Sequence, residues 1–232
     1  MKRSLVGLGL ILVSVCSVRA DLVMVQKVEG IGSGKSAEMT LKVKDGKMRA
    51  DVSPEVSTIT DMNSGATTTL MHSQKMYMEI SAEATQQLME QMQKMRGEAK
   101  DKAAPVDKPS PLQTTGKHER LNGYDTEIYT SQIGAVKVTY WIAKDYPNAD
   151  KLREVFKQMQ KSAMVRLAKG IGQAPVDFPG VPVKTEMTPQ DGRTITTTVV
   201  SVKEQPLDDA EFSVPAGYQS MPMPSFGAGP GQ

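Results

Sequence analysis

Cysteine is almost missing from this 232-residue chain: Cys16 is the only one. A chain with a single cysteine builds no internal disulfide, so whatever it folds into is held by its own core. Histidine is nearly as scarce. His72 and His118 fall in different predicted strands, neither has a partner at metal-ligand spacing, and each reads as a surface or strand-pair residue. The chain has no G-x-S-x-G elbow, no H-E-x-x-H helix and no S-x-x-K signature. Glu186, Asp191, Glu204 and Asp208 are scattered acids beside turns, where solvation accounts for them. These absences point to a protein that is not an enzyme and needs no cofactor. Long apolar runs are missing too beyond the first twenty residues, so no transmembrane segment is expected in the mature chain.

Those first twenty residues, "MKRSLVGLGLILVSVCSVRA", carry Lys2 and Arg3, an apolar run from Leu5 to Val15, and Val18-x-Ala20 before Asp21. That is the three-part pattern of a secretory signal peptide (residues 1–20) cut after Ala20, which implies a periplasmic or secreted protein. Lipidation at Cys16 is the rival reading, but Val15 stands where a lipoprotein signal wants a small residue. The full chain has a formal charge of +2; removing Lys2, Arg3 and Arg19 with the leader leaves 25 basic against 26 acidic residues, a net of −1. No basic surplus remains to attract nucleic acid.

Among what is present, "GIGSGKS" at residues 30–36 resembles a phosphate-cradling loop. The pattern G-x-x-x-x-G-K-[ST] places Glu29 where its first glycine belongs, and a carboxylate there repels a triphosphate. Such a loop must also open a helix, whereas "AEMTLKVKDGKMRADV" alternates as a hairpin turning at Asp45-Gly46. The stretch therefore reads as a loop between strands.

From Leu22 to Ile80 short strands alternate with turns, with "STITDM" and "ATTTLMHS" flanking Asn63-Ser64-Gly65 and "KMYMEI" after Ser73-Gln74. The period then changes. A helix is expected from the N-cap Ser81, with Glu83 in its first turn and Leu88, Met92 and Met95 in one stripe. Residues 98–112, with three prolines, read as a flexible loop. Strands resume around Asn122-Gly123 and in "AVKVTYWIAKDYP". A second helix is expected from Asn148 to Gly170, placing Leu152, Val155, Phe156, Met159 and Ala163 on one face. "VPVKTEMT" and "RTITTTVVSV" supply two more strands, "EFSVPAGY" a chain end packed through Phe212, Val214 and Tyr218, and residues 219–232 a disordered tail. About eleven strands and two long helices make one α+β domain over residues 21–218.

"RLNGYDTEIYT", "YWIAKDYP", "GVPVKTEM" and "DDAEFSVPAGY", in that order, resemble an exported bacterial family without assigned function, related to the LolA/LolB-like lipoprotein-carrier superfamily. The resemblance covers residues 21–218. It implies a curved antiparallel sheet, a half-barrel, with two helices across its concave face, and a concavity that shelters acyl chains. No functional residue is carried over from it.

Methionine is abundant, at sixteen residues. Met89, Met92 and Met95 stand three apart and spread across roughly 120° of a helix. Three readings are open: ordinary core, a pliable lid over an apolar ligand, or a Cu(I) site of soft thioethers. In "YWIAKDYP", Trp141 and its neighbours Tyr140 and Ile142 take opposite faces; Trp141 serves as packing beneath a helix or as a ligand wall. The expectation is a non-enzymatic periplasmic protein that binds a lipid or lipoprotein acyl chain through Leu88, Met92, Met95 and Trp141, with an envelope protein as a further partner. The alternatives are Cu(I) binding by Met89, Met92 and Met95, and a purely structural envelope role.

Overall fold

Threonine, valine, isoleucine and tyrosine recur at alternate positions through most of the chain, and they build strands. The structure, a computed structural model, describes residues 21–31, 35–87, 110–133, 136–161, 177–189 and 192–222. Six strands form the first half: β1 (Asp21–Ile31), β2 (Lys35–Lys44), β3 (Lys47–Ser53), β4 (Val56–Asp61), β5 (Thr67–Met71) and β6 (Met76–Ile80). The second half adds β7 (Gln113–Leu121), β8 (Tyr124–Ile133), β9 (Val136–Ala143), β10 (Val181–Thr188), β11 (Ile195–Gln205) and the short β12 (Gln219–Ser220). All belong to one open sheet in the order β12-β6-β5-β4-β3-β2-β1-β11-β10-β9-β8-β7. Sequential strands neighbour one another from β1 to β6 and from β7 to β11, with a helix between β9 and β10, and the long antiparallel ladder between β1 and β11 joins the two halves.

The turn chemistry matches the sequence. Asp45 and Gly46 have φ of 44° and 78°, and Asn122 and Gly123 have 51° and 87°, so both hairpins turn with two left-handed residues. The glycine-rich stretch connects antiparallel β1 and β2, and no helix follows it. Gly30, at φ 87°, sits against the Thr194 carbonyl, where a side chain would collide with the backbone. Its glycine serves close approach between chain segments.

The α+β expectation with two long helices across the sheet is corrected here. Among the described residues the chain is mostly β, twelve strands against the eleven expected, and its helices are short. Residues 82–87 are helical (α1), started as expected by Ser81, whose Oγ accepts from the Ala84 amide at 3.1 Å. The second helix is described over 13 residues, α2 (Ala149–Lys161). A single 3₁₀ turn, η1 (Asp209–Phe212), completes the helical content. The physical reason lies in the core. Valines and leucines from β1, β2, β10 and β11 fill one sheet face themselves, and α2 adds only Leu152 and Val155 as fully buried side chains, with Phe156 beside them. This short described helix, of 13 residues, lies over what the sheet leaves open.

The other face carries two separate clusters. Val138, Tyr140 and Ile142 of β9 pack with Leu112 and Phe178. Ile59 and Leu70 pack with Leu207, Phe212 and Tyr218 from the segment after β11, which crosses the sheet as a strap and ends by pairing β12 with β6 in parallel. Residues 219 and 220, expected as the start of a disordered tail, are thus an edge strand. Val214, expected to pack with Phe212 and Tyr218, is instead exposed.

Candidate functional site: a fork between two strands

β10 and β11 pair only from Lys184–Thr198 to Met187–Ile195. Beyond Lys184 and Thr198 they part. β10 continues along β9, with Val181 opposite Ala143, while β11 continues along β1 as far as Gln205 opposite Asp21. Both strands carry an extra residue just past the parting point. On β10, Pro182 faces Ile142 and Lys184 faces Trp141, leaving Val183 bulged. On β11, Val199 faces Gln26 and Ser201 faces Val25, leaving Val200 bulged. Bulges bend a strand and re-aim its side chains. Here two of them, side by side, open a fork in the sheet.

A recess of about 220 Å³ lies in the fork. Val183 and residues 199–202 form its walls. Its roof comes from the β7–β8 turn and the β9–α2 connection: Asn122, Tyr124 and Tyr146. The tyrosine rings lie 4.6 Å apart at 42°. Asn122 reaches across two intervening strands to donate from Nδ2 to the Val199 carbonyl at 3.0 Å. That bond shows how far the sheet curls at this end, and it satisfies a carbonyl on the parted edge. Burial pushes the Tyr146 hydroxyl pKa up, with Tyr124 adding to the shift. On one flank Lys151 of α2 pairs with Glu204 of β11 at 3.3 Å. No lining residue carries a charge.

A second cluster, under the strap, holds the residue types of a catalytic pair with its protons directed elsewhere. Ser57 Oγ lies 2.7 Å from His72 Nε2, and His72 Nδ1 lies 2.6 Å from the Tyr218 hydroxyl. Ser57, however, donates to Asp51 Oδ1 at 2.6 Å. Nε2 must therefore be the donor to Ser57, and Nδ1 of a neutral ring accepts from Tyr218. A serine whose proton already points at a carboxylate, in a residue only 1% exposed, has neither base nor access as a nucleophile. Burial alone would raise the Asp51 carboxyl pKa. Hydrogen bonds from Ser57 and Arg49, with the charges of Arg49 and Lys42, outweigh it and hold the group below its ordinary value. The chain of contacts pins the strap: Arg49 also donates to the Glu211 carbonyl at 2.8 Å, and Lys42 meets the Glu211 carboxylate at 2.5 Å.

Of the residues singled out in the sequence, Leu88, Met89, Met92 and Met95 lie outside the described residues. Trp141 is in the core on the α2 face, 7% exposed. Its indole N–H donates to Glu119 at 2.6 Å and the Lys184 ammonium sits 4.0 Å from its ring centroid. It does not line the recess. His118 is exposed, 3.6 Å from Asp125, as a strand-pair residue is. His72 is the histidine whose partners could not be read from the chain. No group of three His, Cys, Asp or Glu side chains among the described residues is placed to hold a metal ion. No described helix is long and apolar enough to cross a membrane. The fork did leave a trace in the sequence. Pro182 stands inside a strand, where proline marks an edge or a bulge, and the Val199-Val200 doublet interrupts the alternation of "TTTVVSV".

No curated protein matches the chain in sequence. Among solved structures, PNGF-II aligns with 87% of this chain at 10% identity and a TM-score of 0.38, and the chain spans 30% of PNGF-II. The LolA superfamily protein NE2245 from Nitrosomonas europaea aligns over 84% of this chain and 91% of its own, at 7% identity and a TM-score of 0.32. Likenesses this weak carry no argument about site or ligand. The sequence itself does place the chain: residues 23–218 match the family described as a domain of unknown function, DUF4412, and the protein belongs to that family.

Proposed function

We propose that this is a non-enzymatic exported protein, periplasmic or secreted, that binds an apolar ligand in the fork between β10 and β11. Lipid or a lipoprotein acyl chain is the ligand class we assign to it. The observation that carries the reading is the recess itself, walled by valines, roofed by two tyrosines and free of charged lining. A parted ladder costs backbone hydrogen bonds that a closed sheet would make, and paired bulges at one place are features a fold retains next to sites. The Ser57–His72 pair supports the same reading from the other side, because its protons are already committed to holding the strap.

The test is native mass spectrometry of the leader-free protein purified without detergent, followed by organic extraction. A stoichiometric lipid mass is the expected result. A clean ligand-free mass that persists after incubation with phospholipid vesicles and with free fatty acid would overturn the proposal.

A further inference from the structure

The recess also limits what can enter it. We infer that the fork takes an uncharged group about the size of a ring or of a short alkyl segment, so that of a lipid or acyl chain only such a segment, and no charged head, enters it. This rests on the ligand-binding reading above and narrows it.

Three features of the fork set the limit. The first is volume. A protein cavity of roughly 150 Å³ holds benzene, so at the same packing about 220 Å³ holds roughly eight carbon-sized groups. A chain of fourteen or sixteen carbons leaves half its length outside. The second is charge. Valine, tyrosine, asparagine and serine make up the whole lining, and an ionised group placed among them would lose its hydration without gaining a counter-charge. The nearby Lys151 and Glu204 already neutralise each other.

The third feature is the parted strand edge. Between Val199 and Gln205, β11 has a ladder partner only on its β1 side among the described residues. The Val199 carbonyl is already taken by Asn122. The stretch after it has no ladder partner on its β10 side among the described residues, and Ser201 and the two tyrosines line the same recess. A neutral ligand with one hydroxyl, ester or amide is therefore matched on both counts, its apolar part against the valines and its polar atom against the edge. Tyr124 and Tyr146 add a face on which a flat group can stack. The bulged Val200 is 49% exposed and stands at the mouth, so it controls entry without holding up the core.

The experiment is calorimetric titration of the leader-free protein with 1-alkanols from butanol to dodecanol and with the carboxylates of the same lengths. Affinity is expected to rise about four-fold per methylene up to roughly eight carbons and then level off. Each carboxylate is expected to bind at least ten-fold more weakly than its alkanol. Val200→Trp should abolish alkanol binding while leaving the thermal midpoint within a degree or two of the parent, because the residue is half exposed. Affinity that keeps climbing to dodecanol overturns the size limit and leaves the apolar-ligand reading standing. Carboxylates that match or exceed the alkanols overturn the charge limit. Copurified lipid without alkanol binding, or alkanol binding untouched by Val200→Trp, overturns the fork as the site. Absence of both lipid and alkanol binding overturns the functional reading together with this one.

Discussion

Under the strap, Lys42, Lys44 and Arg49 each meet a partner across the chain, and Asp51 holds Lys42 and Arg49 from their own side. Lys44 alone holds the Leu207 carbonyl at 2.6 Å and Asp209 at 2.7 Å, and Asp21 accepts from the Leu207 amide at 2.9 Å. At the fork the same sheet does the opposite: two strands that pair along four residue couples let go of each other and leave an uncharged gap. One region spends polar contacts to fix a covering segment in place, and the other forgoes backbone pairing to keep a space open. The lesson is that stability and vacancy are assigned to different halves of one sheet. A ligand could then come and go at the fork without loosening the strap.

Substitutions can break that contrast or sharpen it. The largest effect is expected from Phe212→Ala, which removes the strap's buried anchor from the cluster with Ile59 and Leu70. A loss of about 3–5 kcal/mol is expected by denaturant titration, with early proteolysis near the C-terminus. A change below about 1 kcal/mol would mean the strap is ornamental. Next comes Asp51→Ala, which leaves Arg49 and Lys42 facing each other without their acid. Asp51 keeps a quarter of its side chain exposed, which brings the expected cost to about 2 kcal/mol by the same titration.

On the fork side the expected costs are smaller. Asn122→Ala frees the Val199 carbonyl and should cost about 1 kcal/mol, with amide exchange accelerating around residues 199–202. Unchanged exchange there would show that the roof hairpin does not brace the parted edge. The smallest effect concerns the hairpin that carries this roof. Hydrogen bonds from Lys144, Thr114 and Tyr129 hold the Glu127 carboxyl at about 2, against an ordinary 4.5. A folded value below the unfolded one means that its contribution is complete above about pH 4.5 and disappears as the pH falls through 2. Glu127→Gln should therefore flatten the acid side of the stability profile in that window and leave pH 7 to 8 nearly parallel to the parent.

Strand alternation and turn residues made the hairpins readable, because each depends on a few neighbouring positions. The twelve-strand count came within one for that reason. Helix length was over-read. A stripe such as Leu152, Val155 and Phe156 says that one face is apolar, while how far the helix runs depends on how much core the sheet already fills. The fork was hidden because it is a property of pairing, set by which residues face which across strands far apart in sequence. Its local marks, Pro182 and the Val199-Val200 doublet, say that a bulge is present without saying that two bulges will be neighbours. That Phe212 and Tyr218 pack was legible in "EFSVPAGY"; what the strap bonds to was not, because Tyr218 and His72 are 146 residues apart and nothing near either one announces the other.

The ladder between β1 and β11 has a consequence for how the molecule comes into being. Asp21 faces Gln205 and Glu29 faces Thr196, so the first strand to be synthesised finds its second neighbour only when the chain is nearly finished. The meander from β1 to β6 can assemble from local contacts as it emerges. The closing step must wait, and it carries the loop-closure cost of almost the whole sequence. Until then one edge of β1 stays bare. Maturation therefore hinges on a single late event, and a chain cut short before residue 196 would be left with a sticky edge and no means of covering it.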